Sequence, residues 1–244
     1  MEIQESTFLP IEMLQSGAAE MGIKLDEART NMLDQFARML VDTNQTLNLT
    51  RITEPEQIIT GHYFDSFTCL AIPIRREARV IDIGSGAGFP GIPMKIVRPD
   101  LDLTLLDSSR KKLGFLDGAI ERLGLDNIQT LHIRAEDAGR DGQYREAYDV
   151  AVTRALADMK ILAELCLPLI KVGGMLIAQK SDSAIEEIEA ARAHIGQLGG
   201  RIEKVKAVII PKDFVARRLV VVTKIRPTPS GFPRAFSRIK KSKP

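Results

Sequence analysis

The segment RVIDIGSGAGFPGIPMKI, residues 79–96, constrains the fold more than any other part of the sequence. Its first five residues are predicted to form a buried strand, and the turn after them leads into a helix through Val97. Gly84, Gly86 and Gly88 stand at alternate positions in this turn. Glycine permits positive φ and has no Cβ to block a ligand, so we expect the turn to lie under a bound nucleoside.

Downstream of this segment, short apolar strands alternate with helices. We predict strands at 101–107, 127–133, 148–153 and 174–180, and a closing strand pair at 202–210 and 217–225. Helices are predicted at 109–124, 158–170 and 183–198, and a turn at 171–174. This alternation implies an α/β fold with a doubly wound, mostly parallel sheet and right-handed crossovers.

Residues 1–75 are predicted to be a helical extension in front of a domain at 76–225. Asp26 is expected to cap a helix through about Val41, and Thr53 with Glu56 to form a capping box at the start of another helix. That helix should end before Pro73, because the residue before a proline is disfavoured in helical geometry.

The remaining residues, 226–244, are a basic tail. They hold six Lys or Arg and no Asp or Glu, although the net charge of the 244-residue chain is only +2. Two interpretations stay open: a polyanionic partner such as nucleic acid, or a solvated, disordered end. In both, the tail lies outside the core, so deletion of residues 229–244 should leave the core and the ligand site intact.

The rest of the composition is that of a globular protein, with 44% hydrophobic and 27% charged residues. The longest apolar stretch, residues 161–178, is interrupted by Glu164 and Pro168, so no membrane helix is predicted. Cys69 and Cys166 lie in apolar helical patterns without CxxC spacing. They are therefore expected in the core, no metal site is predicted, and a cytoplasmic location is expected.

Asp107 ends the second predicted strand, 23 residues after Gly84. A carboxylate there is placed to accept hydrogen bonds from a ribose diol, and two cofactors suit this layout. A nicotinamide dinucleotide is compatible with the GxGxxG match that starts at Gly86, but the match begins two residues late and Pro90 offers no N–H to a pyrophosphate. S-adenosylmethionine has no pyrophosphate, and Asp82 is placed to favour its ammonium group directly or through water. It is the preferred cofactor.

Four segments then carry a family resemblance: DIGSGAGFPGIPMKI, LLDSSRKKLGFL, RAED and VTRALA, in this order. Together with TLNLTRITEPEQIITGHYFDS upstream and RRLVVVTKI near the end, they resemble the RsmG family, also called glucose-inhibited division protein B. The resemblance covers about residues 40–225. It implies a Rossmann-like class I methyltransferase fold with a seven-stranded sheet, S-adenosylmethionine as cofactor, and methylation of N7 of one guanine in 16S ribosomal RNA.

The resemblance also implies site residues beyond Gly86 and Asp107. Gly84 and Phe89 would lie in the cofactor loop, with Phe89 contributing shape. Ala135 and Glu136 would hold the adenine after the third strand, and Arg154 would face the cofactor after the fourth.

Judged from the residues alone, Arg154 is instead expected to be a surface arginine paired with Asp149 or Asp158. Several side chains are candidates for contacting RNA, and for each the alternative is a place in the core, in the tail or on the solvated surface. The aromatic and paired basic candidates are Tyr63, Phe214, Phe232, Phe236, Arg75–Arg76 and Arg217–Arg218.

The type of reaction is constrained by motifs that the sequence lacks. After the fourth strand it reads TRALA, where methyltransferases of exocyclic amino groups carry an Asn/Asp-Pro-Pro-aromatic motif, and neither cysteine is placed to attack a pyrimidine. Guanine N7 needs no deprotonation, so a site without an evident base is consistent with it, and no catalytic residue is assigned.

Two other classes stay open as alternatives: an NAD-dependent oxidoreductase on the same fold, and a non-catalytic RNA-binding protein. The expected partner is 16S ribosomal RNA, alone or within the small ribosomal subunit, and the chain is expected to be monomeric.

Overall fold

The computed structural model describes residues 7–154 and 157–240, and this part of the chain contains a seven-stranded sheet of order β3-β2-β1-β4-β5-β7-β6. β1 to β5 are parallel, and β7 runs antiparallel to both β5 and β6. The predicted doubly wound, mostly parallel sheet is therefore confirmed. The strands are β1 Arg79–Ile83, β2 Asp102–Asp107, β3 Ile128–His132, β4 Tyr148–Arg154, β5 Ile170–Ser181, β6 Gly200–Ile209 and β7 Ala216–Lys224.

Helices precede the sheet and cover both of its faces. In chain order they are α1 Ile11–Glu20, α2 Glu27–Leu47, α3 Pro55–Ile58, α4 Asp65–Phe67, α5 Gly91–Val97, α6 Arg110–Leu123, α7 Ala135–Ala138, α8 Met159–Cys166, α9 Ile185–Gln197 and α10 Phe236–Lys240. A π-helical turn, Ile59–Phe64, joins α3 to α4.

The caps of two long helices follow the sequence. The side chain of Asp26 accepts from the N–H of Arg29 and opens α2, which continues to Leu47, beyond the predicted end. Ser109 caps α6 in the same way, and Gly124 ends it in the left-handed conformation.

The predicted capping box at Thr53 and Glu56 is wrong. α3 begins at Pro55 with Glu54 at the N-cap position, and no side chain caps it. Proline suits the first helical position because its φ is already helical and it has no N–H to satisfy. The helical stretch does end before Pro73, as predicted.

The predicted turn at 171–174 is also wrong, because β5 begins at Ile170 and includes these residues. Gly173 has a φ of +88°, and the register with β4 shifts between Tyr148 and Val150. The glycine therefore accommodates an irregularity inside a strand instead of reversing the chain.

The N-terminal helices share a core with one face of the sheet. Leu14, Phe36 and Phe64 belong to the same buried cluster as Val80 of β1 and Leu116 of α6. A second buried cluster lies on the other face, and both cysteines are buried, as predicted. Burial raises the pKa of both thiols, which keeps them protonated.

The prediction that the tail lies outside the core is wrong for its described part. Ile239 is buried, and the guanidinium of Arg145 donates to the carbonyl oxygens of Thr228 and Phe232. Arg234 forms an ion pair of 2.6 Å with Glu164 of α8, whose side chain is fully buried. The tail thus packs onto the helices of the second cluster as far as Lys240, and residues 241–244 lie outside the described residues.

Within residues 7–154 and 157–240, no helix combines the length and the apolar character needed to cross a membrane.

Candidate active site

A cavity of about 310 Å³ lies at the carboxyl ends of β1, β2 and β3. In an open α/β sheet this edge is where ligands bind. The cavity, hereafter the cofactor cavity, brings together five of the seven residues predicted from the sequence: Gly84, Gly86, Asp107, Ala135 and Glu136. Its lining also includes residues that were not predicted to belong to the site, among them Lys112, Arg134, Leu165 and Phe236.

The three alternating glycines have different surroundings. All three have positive φ, but a Cβ on Gly88 would come within 2.9 Å of side-chain atoms of Ile92 and Leu116. A Cβ on Gly86 would meet only the carbonyl oxygen of Gly84, at 3.8 Å. Gly88 is therefore required by packing, whereas Gly86 leaves open space beside the cavity.

Asp107 holds the glycine turn in place. Its Oδ2 accepts from the N–H of Gly86 at 2.9 Å, and its Oδ1 accepts from the N–H of Ser109 at 2.8 Å. A carboxylate has about four lone-pair sites, so each oxygen retains the capacity to accept once more. Asp107 can thus anchor the turn and bind a ligand hydroxyl in the cavity.

Ala135 and Glu136 open the short helix α7 at the far side of the cavity. The Glu136 side chain is 9% exposed, and its carboxylate lies 4.0 Å from the guanidinium of Arg134. Phe236, considered above as a base-stacking residue, lies instead at this cavity, because the tail folds back over α8.

Asp82 does not line the cofactor cavity. It is fully buried, its Oδ2 accepts from the N–H of Gly91 at 2.9 Å, and its Oδ1 has no partner among the described residues. The Asp82 carboxylate is therefore not positioned to contact the ammonium group of a ligand in this cavity directly. Because the first N–H of α5 is already bound by Asp82, it is not free for a pyrophosphate, which argues against a dinucleotide.

The buried position of Asp82 predicts a dependence of stability on pH. Burial raises its pKa from 3.8 to about 7, although the N–H of Gly91 and the charge of Arg154 oppose the shift. The folded state therefore binds more protons than the unfolded state between these values. The resulting stabilisation is complete below the unfolded pKa and is lost as the pH rises through the folded one.

We expect Asp82→Asn, which cannot ionise, to remove this dependence. Urea unfolding of parent and variant between about pH 5 and about pH 8 should show the parent losing stability relative to the variant as the pH rises. If the two free energies of unfolding change in parallel, Asp82 does not titrate in this range.

Phe89 and Arg154, the other two predicted site residues, lie outside the cofactor cavity. Phe89 is 3% exposed and its ring stacks on the imidazole of His62, with centroids 4.2 Å apart. The guanidinium of Arg154 lies 5.0 Å from the centroid of the Phe89 ring. These three side chains connect the outer side of the glycine turn, the side away from the cofactor cavity, to the π-helical turn.

The expectation that Arg154 pairs with Asp149 or Asp158 at the surface is wrong. Asp149 pairs with Arg75 and Lys171, and Asp158 caps α8. Arg154 instead donates to the carbonyl oxygen of Gly61 at 2.9 Å and to Nδ1 of His62 at 3.1 Å, and it pairs with Asp65 at 3.3 Å.

The imidazole of His62 is neutral in this arrangement. Burial and the neighbouring Arg154 charge lower its pKa to about 3. A neutral ring can accept the hydrogen bond that Arg154 donates to it.

The other RNA candidates have separate places. Tyr63 is buried and its hydroxyl donates to the carbonyl of Leu33, so it is a core residue. Phe214 is 81% exposed, at the turn between β6 and β7. Arg217 and Arg218 pair with Asp65 and Asp182.

Comparison with known proteins identifies the family. Residues 29–215 match the family model described as rRNA small subunit methyltransferase G. The chain belongs to this family. The resemblance noted in the sequence is therefore confirmed, and the two alternatives, an oxidoreductase and a non-catalytic RNA-binding protein, gain no support.

Individual relatives agree with this assignment. The chain is 43% identical over 222 residues to the ribosomal RNA small subunit methyltransferase G of Desulforamulus reducens, covering 91% of this chain and 92% of the relative. It is 42% identical to the protein of the same name from Thermoanaerobacter sp. strain X514, with 95% and 97% covered.

Solved structures show the fold. TYW2 from M. jannaschii, solved in complex with AdoMet, superposes with a TM-score of 0.54 at 15% identity, over 72% of this chain and 80% of that one. At this identity the likeness concerns the fold alone. The fold is that of the class I methyltransferases, as the resemblance implied.

Proposed function

We propose that the chain binds S-adenosylmethionine in the cofactor cavity and methylates N7 of a guanine in 16S ribosomal RNA. The observation that carries the proposal is the family match over residues 29–215, joined to a cavity at the ligand-binding edge of the sheet. Bound there, S-adenosylmethionine supplies an electrophilic methyl group on a sulfonium.

The residues of the cavity fit this cofactor. The space beside Gly86 admits the nucleoside, and Asp107 has acceptor capacity for the two ribose hydroxyls. Ala135 and Glu136 lie where a backbone N–H and a carboxylate can bind the adenine. We further propose that Phe89 and Arg154 act on the cofactor by supporting the outer side of the glycine turn.

Methyl transfer requires alignment of the reacting atoms above all, and guanine N7 carries an in-plane lone pair that needs no base. Both cysteines are buried and protonated, so neither is available as a nucleophile. Of the TRALA segment, Ala155 and Leu156 lie outside the described residues. The chain's contribution is thus to bind, orient and shield the two substrates.

The proposal includes ribosomal RNA as partner, free or within the small subunit, and a monomeric enzyme in the cytoplasm. We also propose that the chain is divided into a helical extension at 1–75, a methyltransferase domain at 76–225 and a basic tail at 226–244.

The test is transfer of labelled methyl groups to 16S ribosomal RNA and to small subunits, both taken from cells that lack the gene. The modified position is then mapped by mass spectrometry of nuclease fragments. We expect 7-methylguanosine at one position. Labelling of an amino group or a pyrimidine, or no labelling, would contradict the proposal.

Asp107→Ala is expected to weaken S-adenosylmethionine binding at least about tenfold. Each charge-assisted hydrogen bond lost costs ~1.5–3 kcal/mol, and ~1.4 kcal/mol is one decade in affinity. Calorimetry measures the dissociation constant. Asp117→Ala, which removes the same charge from an exposed position of α6, is the control and should bind as the parent does. Equal affinity of Asp107→Ala and parent would assign Asp107 to the turn alone.

A further inference from the structure

A second cavity, of about 550 Å³, lies at the carboxyl ends of β4 and β5. Arg154 and Gln179 are register partners there, and Ser181 of β5 faces Arg217 of β7. The other wall is the segment from the π-helical turn to α4, which contributes Gly61, His62 and Asp65. This acceptor cavity has no lining residue in common with the cofactor cavity.

The two cavities lie on either side of the adjacent ends of β1 and β4. Ile83, at the end of β1, lines the cofactor cavity, and its carbonyl accepts from the hydroxyl of Thr153 in β4. The next residue, Arg154, lines the acceptor cavity and lies over the Phe89 ring. A substrate in the acceptor cavity would therefore sit next to the ligand of the cofactor cavity, across the ends of adjacent strands.

The charges of the acceptor cavity favour an anion. Asp65 is 5% exposed and faces two guanidinium groups, Arg154 at 3.3 Å and Arg217 at 3.0 Å. Lys180 is matched by Glu187 at 2.6 Å, and His62 is neutral. The ionised groups thus leave one positive charge in excess, which suits a single phosphodiester.

Arg217 is the cation that an incoming phosphate can reach. Its side chain is 28% exposed, compared with 18% for Arg154, and within the described ranges its guanidinium donates one hydrogen bond, from Nε to Asp65. A guanidinium has five N–H donors, so its outer donors remain for a phosphate.

A second polar residue of the cavity, Gln179, has an acceptor atom without a partner among the residues that the structure describes. Gln179 is 3% exposed, and its Nε2 donates to the carbonyl of Asp65 and to the hydroxyl of Thr68. The Thr68 hydroxyl itself donates to Asp65, so it can only accept from Gln179, which determines the orientation of the amide. Oε1 of Gln179 is then an acceptor without a donor in the described part of the chain. Guanine presents an N1–H and an amino group along one edge.

We infer that the acceptor cavity receives the target guanosine of the RNA, with its phosphate on Arg217. This assignment rests on the proposed function, because the occupant is the nucleotide to be methylated. The neutral His62 and the paired Asp65 then shape the cavity and hold the guanidinium groups, and the exposed side of Arg217 provides the electrostatic contact.

The experiment uses the full chain and a 16S ribosomal RNA fragment that contains the target guanine. Binding is measured by fluorescence anisotropy across a salt series, and methylation by label transfer at saturating S-adenosylmethionine. Arg217→Ala is compared with Arg217→Lys and with Arg201→Ala. Arg201 lies in β6 and pairs with Glu203 at the surface, so Arg201→Ala removes the same charge, together with an exposed ion pair, away from the cavity.

We expect Arg217→Ala to raise the KM for RNA about tenfold or more and to make the salt slope of RNA affinity shallower by ~0.7, the value for one phosphate contact to a single strand. Arg217→Lys should restore most of the slope, and the affinity for S-adenosylmethionine should stay at the parent value. Arg201→Ala should behave as the parent in all three measurements.

The assignment is overturned if Arg217→Ala retains the parent salt slope and KM, or if Arg201→Ala changes them equally. Because RNA binding is measured apart from turnover, these outcomes hold whether or not methyl transfer is seen. Absence of methylation by the parent would contradict the proposed function instead.

Discussion

Replacing Arg234 by methionine is expected to lower the free energy of unfolding by about 3–5 kcal/mol, the usual cost of leaving a buried charge without its partner. The Glu164 side chain is fully buried. Arg234 donates to it from Nε at 2.8 Å, from a terminal nitrogen at 2.6 Å and from its backbone N–H at 2.8 Å. Without the guanidinium, the side-chain partner left to the carboxylate among residues 7–154 and 157–240 would be the imidazole of His194, at 3.0 Å.

Urea unfolding measures the change. Arg192→Met is the control, because Arg192 forms an exposed pair with Glu189 within α9 and should have little effect. Adding Glu164→Gln to Arg234→Met should recover part of the loss, since no unpaired charge then stays buried. An unchanged stability of Arg234→Met would show that the pair is as weak as a surface one.

Because the tail packs against α8 and the cofactor cavity, deleting it would affect more than RNA binding. Removing residues 229–244 deletes Arg234, and it also deletes Phe236 from the wall of the cofactor cavity. We therefore expect this truncation to destabilise the protein and to weaken S-adenosylmethionine binding, contrary to the expectation from sequence. Point variants such as Arg217→Ala therefore test RNA contacts more specifically than the truncation does.

Gly86→Val is expected to abolish S-adenosylmethionine binding. The branched side chain would occupy the open space beside the cofactor cavity, where a Cβ meets nothing nearer than the Gly84 carbonyl oxygen at 3.8 Å. The φ of +59° also disfavours a β-branched residue, so the turn would shift away from Asp107.

Calorimetry checks this loss, with circular dichroism to confirm that the variant is folded. Gly118→Val introduces the same side chain in helix α6, where nothing lies within 4 Å of the added Cβ, and should bind the cofactor normally. Binding by Gly86→Val at the parent affinity would remove the glycine turn from the cofactor site.

Local patterns were sufficient for most elements of the fold. The cap at Asp26 and the two ends of α6, at Ser109 and Gly124, depend on hydrogen bonds and dihedral angles within one or two turns, so the sequence specifies them directly. The two wrong predictions, at Thr53 and at residues 171–174, also concern features that are determined within a few residues. In the first, a proline displaced the helix start, and in the second, a glycine served an irregular strand instead of a turn.

The residues at the ends of β1, β2 and β3 were also accessible from sequence. Gly84, Gly86 and Asp107 follow their strands directly, and the carboxyl ends of parallel strands meet at one edge of the sheet. The resemblance placed Ala135 and Glu136 at the same edge, and the structure brings all five to one cavity.

Only the tertiary structure decided which side of the glycine turn each side chain faces. Phe89 and Arg154 turn towards His62 because the N-terminal helical segment covers that face of the sheet, a contact between residues up to 93 positions apart. The tail is held by Glu164, 70 positions before Arg234, and no local pattern predicts such a pair. The sequence by itself therefore determined the elements and the strand-end residues, since these follow from neighbours along the chain. The acceptor cavity and the packed tail depend on how distant segments bury one another's charges and apolar surface.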